Sequence, residues 1–213
     1  RVLFRSEYIM GNINTNKPEK VYMRIRQQEK FIETVAKVAD EEGINENLIN
    51  EVKERFGNFE DLGLEETLKK MSQYGWLDRN LEIVEKRFAY VVKSVIDADE
   101  SQLVNLENAF YELGQEVETD YEGKPIRYVY DAIRDMLLDG GKTEEINQII
   151  NEEYDEIVWS RVRPTTKKYW DEMGIDFAKY YLKLRSRFIQ GMLEKTDIKF
   201  EKLDDTVCQL VRR

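Results

Sequence analysis

Apolar residues return along this chain at steps of three and four, the interval that puts side chains on one side of an α-helix. In 20–42, Ile25, Phe31, Ile32, Val35, Val38 and Ala39 mark such a face. In 80–96 the face is Leu81, Val84, Phe88, Val91, Val92 and Val95, and in 102–117 it is Leu103, Leu106, Phe110 and Leu113. The broadest lies in 176–195, where Phe177, Tyr181, Leu184, Phe188 and Met192 form a stripe widened by Ala178, Leu182, Ile189 and Leu193. Shorter helices are expected over 46–56, 64–74, 126–138, 164–173 and 203–210, and another over 143–159 on Ile146, Ile149, Ile150, Ile157 and Val158. With helical spacing in every long segment, the pattern predicts an all-α multi-helix bundle of about ten helices in two packed halves.

The breaks agree with that reading. Gly43 ends the first helix, Gly57 and Gly63 bracket a loop, and Asp78, Ser101 and Asp176 stand where N-caps are needed. The turn EGKP at 122–125 is the expected boundary between an N-terminal half, 20–121, and a C-terminal half, 122–213. Residues 1–19 are expected to be a disordered arm. Its first six, RVLFRS, are identical to one reading frame of a widely used sequencing adapter, so the natural start is expected elsewhere. A start at Met10 would give MGNINT, which fits the short N-myristoylation pattern with Gly11 exposed; a plain polar arm is the simpler reading.

Composition then narrows the function classes. The 213 residues carry a net charge of −10 with 36% charged side chains and contain no histidine. Ser-His-Asp and Cys-His triads, imidazole metal ligands and the usual proton shuttle near neutral pH are thereby excluded. The single cysteine, Cys208, cannot form an internal disulfide, and a reducing interior is expected. No apolar run is long enough to span a bilayer, so a cytoplasmic location and no membrane span are expected, unless the resemblance given below places the chain in a virion-associated protein. A helix–turn–helix reading of 46–74 is opposed by Glu46, Glu51, Glu54, Glu65 and Glu66, which phosphate would repel. Asp97, Asp99 and Ser101 open like a calcium loop, but Gln102 and Asn108 stand where Gly and Glu are required.

Two constellations remain. One is acidic: Glu112 and Glu116 four apart, then Glu152 with Asp155 and Glu153 with Glu156 three apart. Carboxylates on two facing helices hold Mg²⁺ in all-α nucleotide pyrophosphohydrolases, and the second segment resembles that pattern. The first departs from its E-x-x-E spacing by one residue. The other constellation is basic. Lys179, Lys183 and Arg187 form a ridge at four-residue steps, with Arg185 nearby. Across 161–187 eight Lys or Arg stand against Asp171, Glu172 and Asp176, with Tyr169, Trp170, Tyr180 and Tyr181 among them. Such a mixture suits single-stranded nucleic acid. Pairing of the ridge with the chain's own acids, concentrated at 97–122 and 144–156, is the favoured expectation.

Gly174, Phe177, Lys179, Tyr180, Tyr181 and Arg185 give 139–195 a resemblance to the helical C-terminal segment of large phage virion proteins, including virion-packaged RNA polymerases. The resemblance implies a part of a larger virion-associated protein and carries over no functional residue. Together these features predict a non-enzymatic interaction or assembly module, with no catalytic residue and no cofactor. A protein partner or a second copy is the expected ligand. The Mg²⁺-dependent hydrolase and a single-stranded nucleic-acid-binding accessory protein are the alternatives.

Overall fold

A computed structural model describes residues 18–59, 62–71, 76–138, 146–163 and 166–213. Most of the arm expected at 1–19, the Gly140-Gly141 stop, the first residues of the segment expected from Thr143, and Pro164 lie outside them. The chain runs α1 (Pro18–Glu41), α2 (Leu48–Phe56), α3 (Leu64–Met71), α4 (Trp76–Ala98), α5 (Leu103–Gln115) and α6 (Ile126–Met136). There follow β1 (Asn147–Glu152), β2 (Glu156–Arg161), α7 (Lys167–Met173), α8 (Leu182–Leu193), β3 (Ile198–Lys202) and β4 (Val207–Arg212). A 3-10 turn (Glu100–Gln102) leads into α5, and a π-helical turn (Phe177–Tyr181) leads into α8.

The architecture is therefore mixed: eight helices among the described residues and a four-stranded antiparallel sheet in the order β1-β2-β4-β3. The all-α expectation fails at two places, 143–159 and 203–210, and both are hairpins. Ile149, Ile150, Ile157 and Val158 satisfy a helical repeat because the step from Ile150 to Ile157 is seven residues. The polar run between them instead turns, closed by the amide of Glu153 donating to the carbonyl of Glu156 at 2.8 Å. In β2, Ile157 and Trp159 are buried while Glu156, Val158 and Ser160 are half-buried, the period of two that a strand imposes. At 203–210 the turn is built by Asp204, whose carboxylate accepts from the amides of Thr206 at 2.6 Å and Val207 at 2.7 Å. Those bonds hold the Asp204 carboxyl below its ordinary range. The segment 139–195, whose resemblance is to a helical segment, thus contains the β1–β2 hairpin.

The helical elements form where the apolar faces predict. Phe31 of α1 meets Phe110 of α5 at 4.9 Å between ring centres, Phe188 of α8 at 5.0 Å and Phe88 of α4 at 5.8 Å. One buried cluster holds these rings together with Ile126, Val129 and Ile133 of α6, Ile157 and Trp159 of β2, Phe200 of β3 and Leu210 of β4. The core therefore continues across the turn at 122–125. Helix α6 is pinned to α1 by Arg24, fully buried, whose Nε donates to the carbonyl of Arg134 at 3.0 Å and whose Nη2 lies 3.3 Å from Asp135. That contact fixes one wall of the cleft described next. No helix among the described residues is long and apolar enough to cross a membrane.

Candidate anion-binding cleft

The basic ridge of α8 and its π-helical lead-in faces the 3-10 turn and α5. Lys179 pairs with Glu100 of the 3-10 turn, and the Tyr180 hydroxyl donates to the same carboxylate at 3.0 Å. Hydrogen bonds from Lys179 and Tyr180 hold the Glu100 carboxyl below its ordinary value and raise the Lys179 ammonium. Lys183 lies 3.0 Å from Glu107 of α5, and Arg187 lies 3.9 Å from it while stacking over the Tyr111 ring at 4.6 Å. The three ridge cations thus meet carboxylates of 97–122 on the neighbouring element. The aromatics of 161–187 are mostly core: Trp170, Tyr180 and Tyr181 are buried, and only Tyr169 is half-buried.

The acidic constellation does not assemble. Glu112 and Glu116 are exposed at the end of α5, whereas Glu152, Glu153, Asp155 and Glu156 lie on the β1–β2 hairpin and not on a helix facing α5. Glu152 accepts from Arg127 at 2.8 Å, Asp155 lies 3.5 Å from Arg212, and Glu156 accepts from Asn151 and Gln209. Among the described residues no group of three or more His, Cys, Asp or Glu is placed to hold a metal ion.

Arg185 parts company with the ridge. It lies two residues from Lys183, about 200° around the helix, on a face shared with Leu182, Ser186 and Ile189. That face looks across a cavity of about 30 Å³ toward α6 and the core-facing side of the sheet. Strand register supplies the opposite wall: Trp159 pairs with Cys208, and Cys208 with Lys202, so the three sit in one row across β2, β4 and β3. Arg161 pairs with Asn147 at the far end of the β1–β2 ladder. Arg134 enters from α6. Four cations from four elements, Arg134, Arg161, Arg185 and Lys202, therefore line one cleft over an apolar floor of Tyr130, Trp159 and Phe200.

Asp205, 2.9 Å from Lys202, is the one carboxylate among the described residues that line it. The Arg134 guanidinium packs over the Tyr130 ring at 5.4 Å, and its Nε is buried with no hydrogen-bond acceptor. The Oδ1 of Asn147 is likewise buried without a donor, while its amide serves the Tyr130 hydroxyl. Burial pushes the Cys208 thiol up, despite Arg185 and Arg161 favouring the thiolate. What the arrangement offers is charge, donors and acceptors for binding an anion.

The sequence named Arg185 and counted Arg161, but missed Arg134, Lys202 and Asn147: Asn147 lies on a strand read as helix, and Lys202 on a strand where no element was expected. A signal existed: on a helix, Arg185 cannot share a side with Lys183. The fold and the cleft define a mixed helix-and-sheet domain with an electropositive cleft between its layers. Compared with protein-family models, with curated proteins and with solved structures, the chain finds no match in any of the three.

Proposed function

We propose that this protein is a non-enzymatic binding module that takes an anionic group of its partner into the cleft between α6, α8 and the sheet. The observation that carries the reading is the convergence of Arg134, Arg161, Arg185 and Lys202 on one cavity in a chain of net charge −10. Like charges gathered in one place repel; Asp131, 3.5 Å from Arg134, and Asp205, 2.9 Å from Lys202, offset part of that cost, and a bound anion offsets more. The ridge at Lys179, Lys183 and Arg187 serves a different end: its charges pair with Glu100 and Glu107 and hold α8 and its π-helical lead-in against α5 and the 3-10 turn.

Isothermal titration with inorganic phosphate, sulfate and acetate tests the reading. At least one should bind at a single site. Arg185→Gln combined with Lys202→Gln should weaken that binding about tenfold or more, since each removes a charge-assisted hydrogen bond. Both side chains stand at the margin of the core, so the melting temperature without ligand should change little. Binding of none of the three, or binding that the double variant leaves intact, would remove the reading.

A further inference from the structure

Among the cleft's buried polar atoms that lack a hydrogen-bond partner, Arg134 Nε and Asn147 Oδ1 differ in kind. Arg134 Nε is a donor on a side chain only 9% exposed; Asn147 Oδ1 is an acceptor. The hydroxyls nearby add acceptors rather than donors: Ser186 already donates to the carbonyl of Leu182 at 2.7 Å, and Thr206 to the carboxylate of Asp204 at 3.0 Å. Asp205 adds a carboxylate. An anion placed here meets guanidinium donors on one hand and lone pairs on the other. A carboxylate or sulfate at neutral pH can only accept, so either would satisfy Arg134 and set its own lone pairs against Asn147. A buried acceptor left unmet is costly.

Resting on the reading of the cleft as an anion site, we propose that its ligand is a phosphoryl group that carries a proton: hydrogen phosphate, or a phosphomonoester in its singly protonated form. Its unprotonated oxygens accept from Arg134 and the other cations, and its P–OH donates to Asn147 Oδ1. The ligand discriminates itself from sulfate by that one hydrogen. A buried group built to receive a hydrogen bond rejects an analogue lacking the donor far more strongly than an apolar wall rejects a change of shape. A cavity of about 30 Å³ leaves no room for a run of phosphodiesters.

The test is a ratio of affinities measured by calorimetry on the full chain, for inorganic phosphate, methyl phosphate and sulfate. In the native protein at least one phosphoryl ligand should bind about tenfold or more tightly than sulfate. The tighter of inorganic phosphate and methyl phosphate then identifies the source. Asn147→Leu, close in shape and lacking the acceptor, should bring the ratio toward one while sulfate still binds; Asn147→Ala serves if the leucine variant does not fold. A merely structural role for Asn147 would weaken phosphate and sulfate alike and keep the ratio. That result, or equal binding of phosphate and sulfate by the native protein, overturns the phosphoryl assignment and leaves the anion cleft standing, provided Arg185→Gln with Lys202→Gln still weakens binding. No binding of any anion overturns both.

Discussion

Glu107 and Arg185 show how single side chains sort the charge of this molecule. Glu107, on α5, sits between Lys183 and Arg187 and gathers two ridge cations on one carboxylate, while Arg185 turns to the opposite side of α8. Exposed pairs of this kind are individually weak, but all three ridge contacts have the same sense. Replacing Lys179, Lys183 and Arg187 together by Glu should therefore lower the melting temperature at low ionic strength, and added salt should shrink the loss. The pH dependence has a defined sign. The folded Glu100 carboxyl lies below its ordinary value of 4.5, so its contribution is present above that value and is lost as the pH falls through the lowered one. In the triple variant that acid-side loss should be smaller. A melting temperature untouched by the three reversals would mean that the ridge contributes nothing to stability. The pairing was legible, since nine acids and no Lys or Arg occupy 97–122 beside a basic helix. The orphaned atoms of Arg134 and Asn147 were not, because nothing in a linear sequence says which polar atoms lose water on folding.

At the scale of elements, the closest contact is the crossing of α5 and α8, and two glycines make it. A Cβ on Gly114 would lie 2.2 Å from the carbonyl oxygen of Phe188, and one on Gly191 would lie 2.0 Å from that of Tyr111. Each helix thus presses its glycine against the other's backbone. Alanine is the better helix former by about 1 kcal/mol, yet here it must push two backbones apart. Gly191→Ala should destabilise the fold by about 1–3 kcal/mol, the usual cost of overpacking, measured by urea unfolding. An unchanged or raised stability would show that the helices do not meet this closely. In the sequence both glycines interrupt good helical patterns without apparent cause; the cause lies on the partner helix, some 77 positions away in numbering for Gly114 and Gly191. The two hairpins were hidden for a related reason. Seven residues separate Ile150 from Ile157, so a strand–turn–strand satisfied the helical repeat, and only the polar turn chemistry of 151–156 and Asp204-Asp205-Thr206 opposed it. Eight of the expected helices formed, the short α3 and α7 among them, and the two that did not are 143–159 and 203–210.

For the molecule as a whole, a helical layer closed around Phe31, Phe88, Phe110 and Phe188 shares one core with an antiparallel sheet, and the cleft opens where the two meet. Neither layer holds the site alone. α6 and α8 supply Arg134 and Arg185, β2 and β3 supply Arg161 and Lys202, and the register of β2 with β4 decides that Trp159 and Cys208 stand beside them. That division explains why the basic stretch at 161–187 looked like a surface for nucleic acid: its charges divide, some pairing with acids along α5, others turning inward to the cleft. The whole reading is tested most directly by mapping amide chemical shifts during titration with inorganic phosphate. Saturable shifts should gather at Asn147, Arg161, Ser186, Thr206 and Cys208, and leave Glu100, Glu107 and Lys179 in place. Shifts centred on Lys179 and the acids it faces, or no saturable change anywhere, would contradict an anion site in this cleft.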